Sequence, residues 1–94
     1  MSAFWNWFAE NQAQLLEKLA QEAYEDVTVM MQSELRKVFP FMERELDLGI
    51  APDENGYRVT FADFYMVSLE RGYAKLIQAC PEVVATKWKF EAAH

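Results

Sequence analysis

Three places in this 94-residue sequence bring together side chains with the chemistry of a site: Glu43, Glu45 and Asp47; the acidic turn Asp53-Glu54-Asn55-Gly56; and the run Lys87-Trp88-Lys89-Phe90. Alternating carboxylates on a strand can share a divalent cation, yet such a row is more often a solvated face with cationic neighbours. The acidic turn invites calcium. With Gly56 at loop position six of a calcium-binding hand, however, Ala51 falls at position one and Ala62 at position twelve, and neither can ligate through its side chain. The basic-aromatic run has the composition of a nucleic-acid stacking element. Strand period sends its aromatics to one face and its lysines to the other, so no single surface uses both.

Nucleophiles and bases fare no better. His94 is the only histidine and lies at the end of the sequence, a poor place for a base in fixed geometry. Cys80 is the only cysteine, near the expected end of a helix whose partial negative charge disfavours the thiolate. One His and one Cys make no tetrahedral zinc set. Thr28, Ser33, Thr60, Ser68 and Thr86 have no paired base, and three scattered glycines cannot form a phosphate loop. No catalytic, cofactor-binding or metal residue is assigned, and the expectation is that the protein is not an enzyme.

Nine basic against fifteen acidic residues leave a net charge of −6, which opposes binding to nucleic acid phosphates or anionic membranes. A single cysteine marks no oxidising compartment. The first cation is Lys18, so the opening apolar residues lack the basic segment of a secretory leader, and no apolar run is long enough to span a bilayer. A cytoplasmic protein is expected. With 52% hydrophobic and 15% aromatic residues, residues 1–94 read as a single α+β domain.

What would position any site is an aromatic helix at the start. At about 100° per residue, Phe4, Phe8, Leu15 and Leu19 share a narrow arc flanked by Trp5 and Leu16. Trp7 falls off that stripe beside Asn11 and Gln14, and needs cover from a loop, a strand or another molecule. Ser2 is a candidate N-cap. The helix has no Gly or Pro stop, so a turn capped by Asp26 or a kink is expected before a second helix, whose face is Tyr24, Val27, Met31, Leu35 and Val38 and which Pro40 terminates.

After Pro40 the period becomes 2. Met42, Leu46, Leu48 and Ile50 alternate with polar residues as a first strand. Pro52 to Gly56 then forms a turn, with Asn55-Gly56 the natural site of positive φ, and Tyr57, Val59 and Phe61 resume a hairpin. Leu69, Tyr73, Leu76, Ile77 and Cys80 predict a third helix ending at Pro81. Gly72 weakens its middle and suggests close approach to the sheet, and Trp88, Phe90 and Ala92 predict a last strand.

The order α-α-β-β-α-β predicts an α+β two-layer sandwich with helices on one face of a three-stranded antiparallel sheet. Placing acidic Glu43, Glu45 and Asp47 between Arg58 on one strand and Lys87 and Lys89 on the other gives strand order 2-1-3, with the second and third strands parallel across the first.

Phe4-Trp5-Asn6-Trp7-Phe8 with Glu10-Asn11, together with Pro81-Glu82 and Trp88-Lys89-Phe90, resembles a family of small uncharacterised bacterial proteins. Its members open with a Phe-Trp-x-Trp-Phe helix and close with a Trp-containing strand after an Ala-rich helix ending in Pro. The resemblance implies no activity, and the sequence departs from it in ending Glu91-Ala92-Ala93-His94. The function expected from the residues is a protein-interaction module, with a protein partner or a second copy as a homodimer, using Trp7, Tyr65 and an exposed sheet edge. The alternative is a small-molecule binding domain whose apolar pocket is lined by Met30, Met31, Met42 and Met66.

Overall fold

The computed structural model describes residues 2–39, 47–61 and 67–92, and of residues 67–70 the backbone alone. Two helices come first, α1 (Ser2–Ala20) and α2 (Tyr24–Val38), followed by strands β1 (Leu48–Asp53) and β2 (Gly56–Phe61). Helix α3 (Val67–Gln78), the one-turn helix α4 (Glu82–Ala85) and strand β3 (Trp88–Ala92) complete the order.

The apolar stripe of α1 goes where its spacing directs it: Phe4, Trp5, Phe8, Leu15 and Leu19 are buried. Phe8 stands edge-on to both Trp88 and Phe90, at ring separations of 4.8 and 5.4 Å, so the first helix lies against the last strand. From α2, Val27, Met31 and Leu35 are buried and Tyr24 reaches the ring of Tyr57. From α3, Tyr73 stacks on Phe61 with centroids 4.6 Å apart. All the strand partners in these contacts belong to one face of the sheet, the face on which Val59 is also fully buried. The opposite face carries Gly49, Ala51 and Lys89, exposed to water.

Helix α1 ends without glycine by a six-residue reverse turn. Glu22 takes φ 63°, the Ala23 N–H donates to Lys18 O over 2.9 Å, and the Glu22 N–H donates to Leu19 O over 3.0 Å. These two bonds satisfy carbonyls that a helix end leaves orphaned. The expected Asp26 cap does not form: Ala23 holds the N-cap position of α2 with no side-chain bond, while Glu25 and Asp26 sit in the first turn, where carboxylates favour the helix dipole.

Strand order is β1-β2-β3, with β1 and β2 antiparallel and β2 and β3 parallel. This corrects the expected antiparallel 2-1-3 sheet: the second and third strands do run the same way, but as direct neighbours. Two physical reasons are visible. The strand begins at Leu48, so Asp47 precedes it, and Glu43 and Glu45 lie outside the described residues. The strand also includes Pro52, paired with Tyr57, and a central strand would need there an N–H that proline lacks. Charge pairing operates, but on other groups. Arg58 lies between Asp53 at 3.5 Å and Glu91 at 3.8 Å, and Glu91 also accepts from the Thr60 hydroxyl at 3.3 Å.

The hairpin turn is Glu54-Asn55, and neither Asn55 nor Gly56 takes positive φ. Gly56 is needed for proximity instead, since a Cβ there would overlap the carbonyl of Lys87, which accepts from the Tyr57 N–H at 3.0 Å. Gly72 makes way not for the sheet but for the Phe39 ring, which would lie 2.5 Å from an added Cβ. Helix α3 stops at Gln78, two residues short of Cys80, and Pro81 opens α4, which buries Val84.

Candidate functional site

The residues with chemical potential do not converge. His94 and Tyr65 lie outside the described residues, as do Met42 and Met66. Among the described residues no group of three or more His, Cys, Asp or Glu is placed to hold a metal ion. Cys80 is half-buried, its Sγ 3.7 Å from the carbonyl of Pro81, and burial pushes its thiol pKa up. That is the reverse of what an activated nucleophile requires. Asp53 is turned to Arg58, a pairing that needs no cation. Trp88 and Phe90 are buried while Lys87 and Lys89 are exposed, so the basic-aromatic run divides between two faces as its period demands.

Trp7 is half-buried, its ring 6.0 Å from those of both Phe4 and Phe8, and its carbonyl accepts from the Asn11 side chain at 2.8 Å. Part of its surface is therefore spent on its own helix. Met31 is fully buried and Met30 packs beside it as core. Two clefts of small-molecule size are lined by described residues. One, of about 400 Å³, includes Asn55, Tyr57, Cys80, Thr86 and Lys87 at the hairpin end of the sheet. The other, of about 420 Å³, is lined by Ser2, Trp5, Asn6, Ala79 and Pro81. Neither contains a methionine. No described helix is long and apolar enough to cross a membrane.

The sheet edges carry more information. Because the Tyr57 N–H turns to Lys87, the main-chain groups of Tyr57 and Val59 face β3, and those of Gly56, Arg58 and Thr60 face β1. Their partners are Asp53, Ala51 and Gly49, so Leu48, Ile50 and Pro52 direct their main-chain groups outward from β1. Among the described residues no strand pairs with that edge. On the far side of the sheet, Trp88 and Phe90 point their amides away from β2, yet they keep only 3% and 8% of their accessibility, main chain included. The β3 edge is therefore buried at these two residues. On β1, Leu48 is buried, Ile50 is half-buried, and Gly49, Ala51 and Pro52 are exposed, which leaves an accessible stretch from Gly49 to Pro52.

The expected order 2-1-3 placed the first strand in the middle, so an edge at β1 is the reverse of what the sequence suggested. The signal that could have found it is Pro52, admissible in a strand only where its missing N–H faces no neighbour. No family model, no curated protein and no solved structure matches the chain.

Proposed function

We propose that the chain is a non-enzymatic protein-interaction module that works by strand addition at β1. What supports this reading is the accessible run from Gly49 to Pro52, whose Ile50 N–H and C=O and Pro52 C=O face away from β2. Main-chain groups of this kind supply affinity for an extended segment, while the side chains to either side supply selectivity. The edge bears no lysine of its own to deter pairing, and Pro52 limits its length without blocking Ile50. Trp7, partly exposed on α1, is a secondary candidate contact.

The test is selection of linear heptapeptides on the purified chain, followed by hydrogen-exchange mapping of the binders. Slowed exchange at the Ile50 amide is the expected outcome. Binders that protect α1 around Trp7 and leave Ile50 unprotected would overturn strand addition. Light scattering on the same preparations reads whether a second copy occupies the edge in the absence of peptide.

A further inference from the structure

If a strand adds to β1, the side chains already on that edge decide which strand is accepted. From Asp47 to Tyr57 the only charged residues are Asp47, Asp53 and Glu54, and no cation intervenes before Arg58. Asp47 and Glu54 are exposed. On the outer face, Gly49 and Ala51 present almost no side chain, and an added Cβ at Gly49 would meet nothing within 4 Å. An incoming antiparallel strand therefore finds open space opposite these two residues. Of the carboxylates flanking that space, Asp53 is already held by Arg58 at 3.5 Å, whereas Asp47, one residue before the strand, is exposed and lies diagonal to the position opposite Gly49, about 7–8 Å away and within reach of a long side chain. On the inner face its neighbour is Ile50, half-buried and packed against the core.

We infer that the occupant is an extended cationic segment of another protein, carrying Lys or Arg opposite Gly49 beside an apolar residue opposite Ile50. The inference rests on strand addition at β1 and specifies its partner. A second copy of this chain fits less well. Antiparallel pairing centred on Ile50 would set Asp47 directly opposite Asp53, in a molecule of net charge −6, and would leave Leu48 C=O facing Pro52, which has no N–H to give.

Backbone amide NMR titration tests it, with two blocked peptides as probes: Lys-Val-Lys-Val-Lys-Val and its charge-reversed form Glu-Val-Glu-Val-Glu-Val. The cationic peptide should shift the Ile50 and Ala51 amides and bind about tenfold tighter than the acidic one at low salt, with the preference shrinking as salt is raised. Asp47→Lys should cut that preference several-fold. Asp47 is exposed and bonds to none of the described residues, so the variant is expected to fold, and Gly49→Lys provides a second variant with the same expected effect. Equal or tighter binding of the acidic peptide with shifts on β1 overturns the cationic preference and leaves strand addition standing. Shifts confined to other elements, or none at millimolar peptide, overturn both. Shifts of Ile50 that grow with protein concentration alone identify a second copy as the occupant and overturn the inference.

Discussion

The indole N–H of Trp5 donates to the main-chain carbonyl of Leu76 over 3.0 Å, in a buried setting, across 71 residues of sequence. Leu76 O belongs to the last turn of α3 and accepts as well from the Ala79 N–H at 3.2 Å, so the indole of the first helix adds a second donor at the end of the third. Trp88, by contrast, buries an indole N–H that meets no hydrogen-bond acceptor among the described residues. The two tryptophans are both about 97% buried, at 3% exposure each, and differ mainly in this bond. Replacement by Phe removes a hydrogen bond at Trp5 but only an unpaired buried donor at Trp88, while Leu76 O keeps the Ala79 N–H. Trp5→Phe should cost about 1–2 kcal/mol more than Trp88→Phe by chemical denaturation. Equal costs would show that the Trp5 bond contributes nothing beyond packing.

Trp5→Ala should cost about 3–5 kcal/mol, as large-to-small changes at fully packed aromatic positions do. Trp7 is half-buried, its indole has no hydrogen-bond partner among the described residues, and the carbonyl that accepts from Asn11 is one any residue retains. Trp7→Ala should therefore cost roughly 1–2 kcal/mol. Denaturation midpoints of the two variants, measured side by side, check the ranking.

Glu22 holds a left-handed conformation that costs a residue with a Cβ about 1–2 kcal/mol. Part of the gain from glycine is offset by the greater freedom of the unfolded chain. Glu22→Gly should stabilise the protein by about 0.5–1 kcal/mol, seen as a higher thermal midpoint. A lower midpoint would mean that the turn between α1 and α2 is not held by the two bonds to Lys18 and Leu19.

Gly56→Ala should destabilise by about 1–3 kcal/mol or more, because the added methyl meets main chain at Lys87 and not a side chain able to swing aside. The same change at Gly49 meets nothing and should be nearly neutral. Amide exchange at Tyr57, whose N–H bonds to Lys87, should speed up in the first variant only.

Burial raises the pKa of the Cys80 thiol above its ordinary value of 9.0, so the folded chain holds its proton more tightly than the unfolded chain. The associated stability is complete below the ordinary thiol pKa and is lost as pH rises through the higher folded value. Alkylation by iodoacetamide, which follows the thiolate, should be slower at pH 8 in the native protein than after denaturation, with its rate-pH curve displaced to higher pH. A native rate equal to the denatured one would contradict burial of Cys80.

The elements that could be read from sequence are those whose signal is carried by several side chains in register: the stripe of α1, the face of α2, the hairpin and β3. The elements that could not are those decided by main-chain geometry. Glu22 ends a helix where the residue type predicts nothing, and Asn55-Gly56, the strongest positive-φ signal in the chain, does not use it. Helix α4 spans a single turn, too short for a period to register. The strand order failed for a different reason. Weak charge pairing, worth a fraction of a kcal/mol per exposed pair, was set against Pro52, which removes a ladder bond outright. Of the candidate site, the existence of an edge was legible, but its location depends on which strand the Tyr57 amide faces, and that is fixed only once Lys87 is in place.

The packing of Phe8 on Trp88 and Phe90 has a consequence for how the chain is made. The aromatic stripe of the first helix is made before its partners, Trp88 and Phe90, which follow about 80 residues later. At bacterial and eukaryotic elongation speeds of about 5–20 residues per second, Phe4, Trp5 and Phe8 wait roughly 4–16 s without their strand. During that interval the nascent chain holds three aromatic side chains without the strand that buries them, an exposed surface of the kind chaperones exist to cover. Slowing translation between the codons of Phe8 and Trp88 should lower the soluble yield, because it lengthens the wait.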